Sequence, residues 1–512
     1  GHQVGAPSTG KVFPKHRGDL LETAVVVDRM YEGEIERTSI PQNPIDVLAQ
    51  QIVAIVAMDN IDAGDCFDLV RGSAPFATLP RGSFDAVLDM LSGRYPSDDF
   101  AELRPRIVWD RATGMLSARS NARILAVTNP GTIPDRGLYT VNLPEGGRVG
   151  ELDEEMVYES RPGDTFVLGS SSWRIDEIDH DRVIVTPSPD AAAARMPFWH
   201  GDAPGRPIEL GRAVGAFTRE ISGLSRDEAH EQLATRYRLD GRAARNLAAY
   251  IADEREAAGV VPSDRTIVVQ RFRDEIGDWR IVLLSPFGGR VHAPWALAIR
   301  SRYREDSDGT VDVVWSDDGI ILRFPDVDTP PDTGMVYVDP ADVEERVIEE
   351  TADTALFASR FREAAARALL LPRRRPGTRT PLWLQRRKAA NLLEATKDFG
   401  SFPVVLEAYR EVLQDHFDVP ALVELLTDVS GRVTRIVEID TQGPTPFATA
   451  LMFDFVANFM YEYDAPLAER RAAALTLDRS LLAELLGEPE FRELLDADVI
   501  EDVELDLQRL SE

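Results

Sequence analysis

The stretch PQNPIDVLAQQIVAIVAM, residues 41–58, decides how the first part of the chain is read. Ile45, Leu48, Ala49, Ile52 and Ile55 or Val56 recur at helical spacing behind a proline-rich start, which makes one face of a helix apolar. A second short helix is expected near Asp65 to Arg71, and a third, Ser83 to Leu91, after Pro80. Ile107-Val-Trp109, a turn at Ala112-Thr-Gly114 and the run Arg119 to Thr128 read as a β-hairpin. Three helices and a terminal hairpin are the order of a winged helix, over residues 41–134. Phe84, Asp85, Asp89 and Met90 on the third helix are poor phosphate contacts, so packing or strand guidance is favoured over reading of base sequence.

Working outward, Asn129-Pro-Gly-Thr-Ile133-Pro-Asp-Arg136-Gly137 is a turn-rich junction. Beyond it, Leu138 to Leu143, Thr165 to Leu168, Trp173 to Ile178 and Val183 to Val185 read as strands of a small barrel or curled sheet. Helices intervene at Glu209 to Ile221, Arg226 to Tyr237 and Arg242 to Ala257. Strands return at Thr266 to Phe272, Trp279 to Leu284, Val311 to Trp315 and Ile320 to Phe324. From about Val343 the pattern is almost wholly helical, with one strand at Arg432 to Asp440. The expected fold class is mixed α/β and multidomain (α+β), with a connector at 1–40, the winged helix at 41–134, a β-rich part at 135–345 and a mostly helical part at 346–512.

A net charge of -30, from 57 basic and 87 acidic residues, argues against a surface that coats nucleic acid everywhere, because a uniformly acidic surface repels phosphate. Local basic patches remain possible. The single cysteine, Cys66, excludes an intrachain disulfide and fits a reducing, cytoplasmic setting. No apolar run reaches the roughly 18 to 20 residues that span a bilayer, so no membrane partner is expected. The opening, without Met and in mid-pattern, suggests a piece of something longer. The histidines are scattered without metal-ligand spacing, and no nucleophile motif appears, so neither a metal nor a catalytic residue is assigned.

Two motifs imitate an ATPase. Gly5-Ala-Pro-Ser-Thr-Gly10-Lys11 spells most of a phosphate-binding loop, but too few residues precede it for a buried strand. Val12 stands where a Ser or Thr would hold Mg²⁺, and Pro14 lacks an N–H. Asp227-Glu-Ala-His230 spells the D-E-A-H of helicase ATPases. Ser225 and Glu228 instead fit a capping box that opens a helix.

Two stretches stand out from the acidic background. Arg373-Arg374-Arg375-Pro-Gly-Thr-Arg379-Thr-Pro-Leu-Trp383-Leu-Gln-Arg-Arg-Lys388 holds seven basic residues and no acidic one. It is either a solvated face or a groove following a phosphate backbone. Ser285-Pro-Phe-Gly-Gly-Arg290-Val-His-Ala-Pro-Trp295 sets two glycines and an arginine between a strand and a helix. It is either an anion-binding turn or a tight turn with Trp295 in the core. Met196-Pro-Phe-Trp199 offers an aromatic that can stack on a base, and the junction offers Ile133 as a wedge; both are equally readable as core.

These strings together resemble the Lhr family, large superfamily 2 helicases. The resemblance runs through Gly5 to Pro14, IPQNPIDVLAQQ (40–51), GTIPDRGLY (131–139), PFW (197–199), SPFGGRVHAPW (285–295), RRRPGTRTPLWLQR (373–386) and NFMYEYDAPLAERR (458–471). It makes the opening glycine-rich segment the continuation after the last motif of the second RecA-like lobe, not a phosphate loop. It implies ATP-driven 3′ to 5′ translocation on single-stranded DNA, unwinding of duplexes including RNA:DNA hybrids, and a role in DNA repair. ATP and Mg²⁺ would belong to RecA-like lobes whose motifs this sequence lacks, so no cofactor is expected in this chain. The resemblance makes Ile133 a contact at the strand junction and Trp199 a stacking residue. With Arg136, Arg290, Arg373, Arg374, Arg375 and Arg379 they form the candidate nucleic-acid contacts. The rival reading is an acidic protein-interaction platform of a repair complex.

Overall fold

The computed structural model describes residues 10–14, 17–95, 101–133, 138–153, 156–157, 160–168, 171–179, 182–188, 205–274, 277–307, 311–325, 327–352, 354–372, 382–396, 399 and 401–452. Helix α1 (Arg17–Glu32) leads into α2 (Ile45–Val56), β1 (Ile61–Asp62), α3 (Ala63–Arg71), α4 (Arg81–Ser92), β2 (Ile107–Trp109) and β3 (Met115–Ala118), whose strands pair in the order β1-β3-β2. This is the winged-helix order. The apolar stripe of α2 points inward, with Leu48, Ala49, Ile52 and Val53 excluded from solvent beside Phe84 and Leu88 of α4. Each such large side chain contributes roughly 1.5–3 kcal/mol.

The hairpin closes earlier than its sequence suggests. Asp110 accepts the Ala112 N–H at 2.9 Å and the Thr113 hydroxyl at 2.7 Å, and Gly114 takes φ +77°, so the chain reverses at once and returns as β3. Arg119 to Thr128, expected as the second strand, instead supplies α5 (Ala122–Thr128). Ala122 and Leu125 turn toward the core at helical spacing, while Ile124 and Val127 stay exposed.

A curled sheet follows: β4 (Leu138–Asn142), β5 (Arg148–Asp153), β6 (Thr165–Leu168), β7 (Ser171–Ile178) and β8 (Arg182–Pro187), in the order β5-β4-β8-β7-β6. Only the β4–β8 pair is parallel. Tyr139, Val141, Val183 and Val185 alternate inward, which is the period-2 signal that revealed these strands. Strand β5 was not anticipated. It is created by the turn at Gly146-Gly147, where the Leu143 N–H reaches the Gly147 carbonyl at 2.7 Å.

Helices α6 (Ile208–Ser222), α7 (Arg226–Thr235) and α8 (Gly241–Ala258) pack with α1 around Leu21, Val25, Phe217 and Leu247. The second five-stranded sheet holds β9 (Thr266–Arg273), β10 (Trp279–Leu284), β11 (Asp312–Ser316), β12 (Gly319–Phe324) and β13 (Arg435–Asp440), in the order β11-β12-β10-β9-β13. Its central strands are covered on both faces. Ile267, Val269, Ile281 and Leu283 share a core with residues of α9 (Gly289–Asp306), and Val268, Val282 and Leu284 join Ala448, Leu451 and Met452. The remaining helices are α10 (Val343–Thr351), α11 (Ala355–Arg367), α12 (Leu382–Thr396), α13 (Pro403–Arg410), a π-helical turn at Glu411–His416, and α14 (Val419–Ser430).

The winged helix is riveted to these helices by buried charge. Arg367, at the end of α11, bridges Asp46 of α2 and Glu411 of the π turn. Glu407 pairs with Arg410 at 2.7 Å and accepts the Ile45 N–H at 2.7 Å, capping α2 where Pro44 offers no side chain. Gln50 donates to the carbonyls of Gly131 at 2.9 Å and Arg367 at 3.2 Å. Arg106 donates to the Leu369 carbonyl at 2.9 Å and the Arg104 carbonyl at 2.6 Å. Removing Arg367 leaves Asp46 and Glu411 buried without their counter-charge. Arg367→Ala should therefore destabilise the protein by about 3–5 kcal/mol, whereas Arg81→Ala, which breaks the exposed Arg81–Asp85 pair, should change stability by under about 1 kcal/mol. Urea unfolding of the two variants checks the contrast.

Glu254 of α8 is fully buried, and its carboxylate accepts the Phe447 N–H at 2.8 Å, where the helical turn carrying Ala448 and Leu451 begins. Burial pushes its carboxyl up from 4.5 to about 7. The folded state then holds a proton that the unfolded chain releases. The associated stability is complete below about pH 4.5 and is lost as pH rises through about 7. Burial pushes His292 and His416 down to about 4, so they act in the opposite sense below 6.5. Glu254→Gln keeps an acceptor without the ionisation. Thermal unfolding across pH 5 to 8 should show a shallower alkaline decline in Tm for this variant, with the acid limb unchanged.

Candidate nucleic-acid interface

Ile133 stands at the end of the junction turn, where Gly131 takes φ +81° and its carbonyl is tied to Gln50. The Ile133 side chain is 89% exposed, the largest exposure among the described large apolar residues. Among the described residues, no packing accounts for it. Of the other candidate contacts, Arg136, Trp199, Arg373, Arg374, Arg375 and Arg379 lie outside the described residues. Nothing structural brings them to Ile133 or separates them from it.

Arg290 sits in the first turn of α9 and donates through one terminal nitrogen to the carbonyls of Gln414 and Asp415, each at 3.2 Å. Its own carbonyl accepts the Asp418 N–H at 2.8 Å. The side chain therefore secures the end of the π turn. The turn before it resolves the choice left by the sequence. Asp317 Oδ1 accepts the N–H groups of Gly289 and Arg206, each at 2.7 Å, so a carboxylate of this chain fills the position an outside anion would take. Gly288, at φ +94°, is required because a Cβ would stand 2.0 Å from the Arg206 carbonyl oxygen. Trp295 is completely buried and donates to the Val336 carbonyl at 2.9 Å, which makes it core. His292 is likewise buried between Ser285 Oγ at 2.9 Å and the Ser316 carbonyl at 2.8 Å.

The Asp227-Glu-Ala-His230 motif forms the first turn of α7. Ser225 and Glu228 make the reciprocal capping box, so these carboxylates serve a helix end. Among the described residues, Asp46, Glu407 and Glu411 bring three carboxylates close enough for a cation, with oxygens within 4.8 Å of one another. Arg367 and Arg410 already hold the charge there. On α4, Phe84 and Met90 are buried, Asp85 pairs with Arg81, and Asp89 pairs with Arg94 and Arg111. That helix packs inward through Phe84 and Met90, and its carboxylates are matched by arginines on and beyond it.

One feature escaped the sequence reading. A groove of about 1030 Å³, counting the solvent at its mouth, runs between α5 and α12. Its lining includes Arg104, Arg106, Asn121, Leu370, Gln385 and Lys388, with Glu102 as its acidic member. The sequence signal was present: residues 111–134 contain Arg111, Arg119 and Arg123 and no carboxylate. Reading this segment as a strand hid the helical spacing that places Ile124 and Val127 together on the surface.

The chain matches the family descriptions "Large helicase-related protein, winged helix domain" over residues 28–195 and "DEAD/H associated" over residues 261–448. It is 57% identical over 516 residues to the "Lhr helicase/probable uracil glycosylase" of Mycolicibacterium smegmatis, an alignment covering all of this chain and 34% of that protein. It is 51% identical to the "Lhr helicase/uracil glycosylase" of Escherichia coli, covering all of this chain and 33% of the relative. The "ATP-dependent helicase Lhr-Core" of Saccharolobus solfataricus is 29% identical over 88% of this chain and 53% of its own length. The solved structure described as "Mycobacterium smegmatis helicase Lhr bound to ssDNA and AMP-PNP" superposes with a TM-score of 0.68 at 50% identity, covering 86% of this chain and 52% of that one. The chain thus spans about a third of the bacterial relatives and about half of the archaeal one. With both domain types in order and this likeness running its whole length, the chain belongs to the Lhr family, as a winged-helix and DEAD/H-associated part.

Proposed function

We propose that this chain is the nucleic-acid-holding accessory region of an Lhr-type, ATP-dependent 3′ to 5′ DNA helicase acting in DNA repair. It holds the tracking single strand and assists separation of a duplex or RNA:DNA hybrid. ATP and Mg²⁺ are used by RecA-like lobes whose motifs this sequence does not carry, so the chain alone binds strands without hydrolysing ATP or unwinding. The observation that supports this reading is the likeness to a relative described as bound to single-stranded DNA. Within the chain, the exposure of Ile133 on a hydrogen-bonded turn agrees with it, since an aliphatic side chain held in solvent at a domain junction suits insertion between bases. Trp199 is proposed to stack on a base. Arg136, Arg290, Arg373, Arg374, Arg375 and Arg379 complete the proposed contacts.

The net charge of -30 favours a second reading, an acidic platform that docks protein partners without touching the strand. Fluorescence anisotropy of a labelled single-stranded DNA, titrated at several salt concentrations, separates the two. Strand holding should give log affinity falling with log salt at about -0.7 per phosphate contacted. Trp199→Ala should weaken binding by roughly 5- to 160-fold, in line with about 1–3 kcal/mol per stacked base. Its salt slope should not change, because no charge is removed. Absence of binding at low salt assigns the chain to the platform role.

A further inference from the structure

The groove between α5 and α12 brings two properties together. The first is unpaired positive charge. Most arginines near carboxylates are matched, including Arg81 with Asp85, Arg219 with Asp264 and Arg271 with Asp440. In the groove, the exposed Arg104 and the half-buried Lys388 have no ion pair or side-chain hydrogen bond among the described residues. Arg106 also lines the groove. Its donors are taken by the carbonyls of Glu102, Arg104, Leu369 and Leu370, which hold its position and leave its charge uncancelled. Burial and the adjacent Arg104 both disfavour that charge, and Glu102 offsets them in part. An anion entering the groove relieves this crowding of like charges.

The second property is exposed aliphatic surface. Ile124 is 65% and Val127 71% exposed on α5, the helix that contributes Asn121 and Leu125 to the groove. The junction turn follows directly. Its Gly131 carbonyl and the Arg367 carbonyl share the Gln50 amide, and Leu369 and Leu370, just beyond Arg367, receive Arg106. The junction turn, α5 and the cationic wall are therefore tied to one another by the chain and its hydrogen bonds. A partner that is only acidic gains nothing from the aliphatic face, and a partner that is only apolar gains nothing from the cations. A single-stranded nucleic acid carries both phosphates and unstacked bases.

Resting on the strand-holding role proposed above, we infer that this groove is a phosphate channel for a single-stranded nucleic acid, with Arg104 and Lys388 on the backbone and Ile124 and Val127 against the bases. The test uses the full chain and a 5′-labelled oligo-dT. Arg104→Gln with Lys388→Gln should make the dependence of log affinity on log salt shallower by about 1.4, about 0.7 for each lost phosphate contact. Ile124→Ser with Val127→Ser should weaken binding at an unchanged slope. Among the described residues Arg104 and Lys388 have no ion pair, and Ile124 and Val127 are largely exposed, so folding should be preserved and is verified by thermal unfolding. The Arg242→Gln variant, outside the groove, should keep the wild-type slope or lose no more than one contact. Poly-glutamate should compete poorly against oligo-dT.

The outcomes are distinguishable. Steep, salt-dependent wild-type binding that the Arg104→Gln, Lys388→Gln double variant retains overturns the groove while leaving strand holding intact. Equal competition by poly-glutamate overturns the assignment to nucleic acid in favour of a general polyanion site. Failure of the wild-type chain to bind oligo-dT at low salt overturns both the groove and the function on which it rests.

Discussion

Arg367 lies between Asp46 and Glu411, and the placement of the winged helix depends on that buried contact. Apolar helix faces tolerate sliding, because one methyl group substitutes for another with little loss. A guanidinium between two carboxylates does not, since its donors have fixed directions and each unmatched buried charge costs several kcal/mol. Burial, and the Asp46 charge after it, raises the Glu411 and Glu407 carboxyls, and Arg367 and Arg410 work against that rise. The network therefore contributes register more than net stability. From it follow the start of α2, capped by Glu407, and the position of Gln50, which carries the constraint across to Gly131 and the exposed Ile133.

Much of this architecture was legible because burial leaves a period in the sequence. Helix α2 showed 3.6-residue spacing, the curled sheet showed alternation, and the helices from α6 to α8 matched their expected limits to within a couple of residues. The misreading at residues 119–128 has a local cause. Ile124, Val127 and Thr128 are β-branched and carry strand propensity, yet the Asp110 turn had already closed the hairpin at Met115. Propensity described the residues correctly; the side-chain hydrogen bonds of the turn decided their pairing. Strand β5 was missed for the complementary reason, since RVGELD carries a glycine and charged residues and owes its strand state to a partner already in place.

The candidate site was legible in chemistry and illegible in placement. The sequence correctly left two readings open for the Ser285–Trp295 turn. Only the fold could bring Asp317, from a different hairpin, onto the Gly289 N–H and so close the site to an outside anion. The groove at α5 and α12 joins residues more than 260 positions apart, including Arg104 and Lys388, and no local pattern reports such a meeting. What the sequence did carry was the lack of carboxylates between residues 111 and 134.

That local lack matters because the rest of the chain is acidic. On a neutral protein, two free cations form a weak and unremarkable patch. On a chain of net charge -30, the average field repels a polyphosphate strand, and screening confines local attraction to within about 10 Å at moderate salt. The acidic surface thus acts together with the groove: repulsion elsewhere narrows the set of bound orientations, and Arg104 and Lys388 favour those that bring a phosphate to the groove. Pairing most other arginines with carboxylates sharpens the same contrast, since a matched guanidinium presents little field to an arriving phosphate. An acidic composition is therefore compatible with strand holding when cations such as Arg104 and Lys388 line one groove beside a helix with exposed aliphatic side chains.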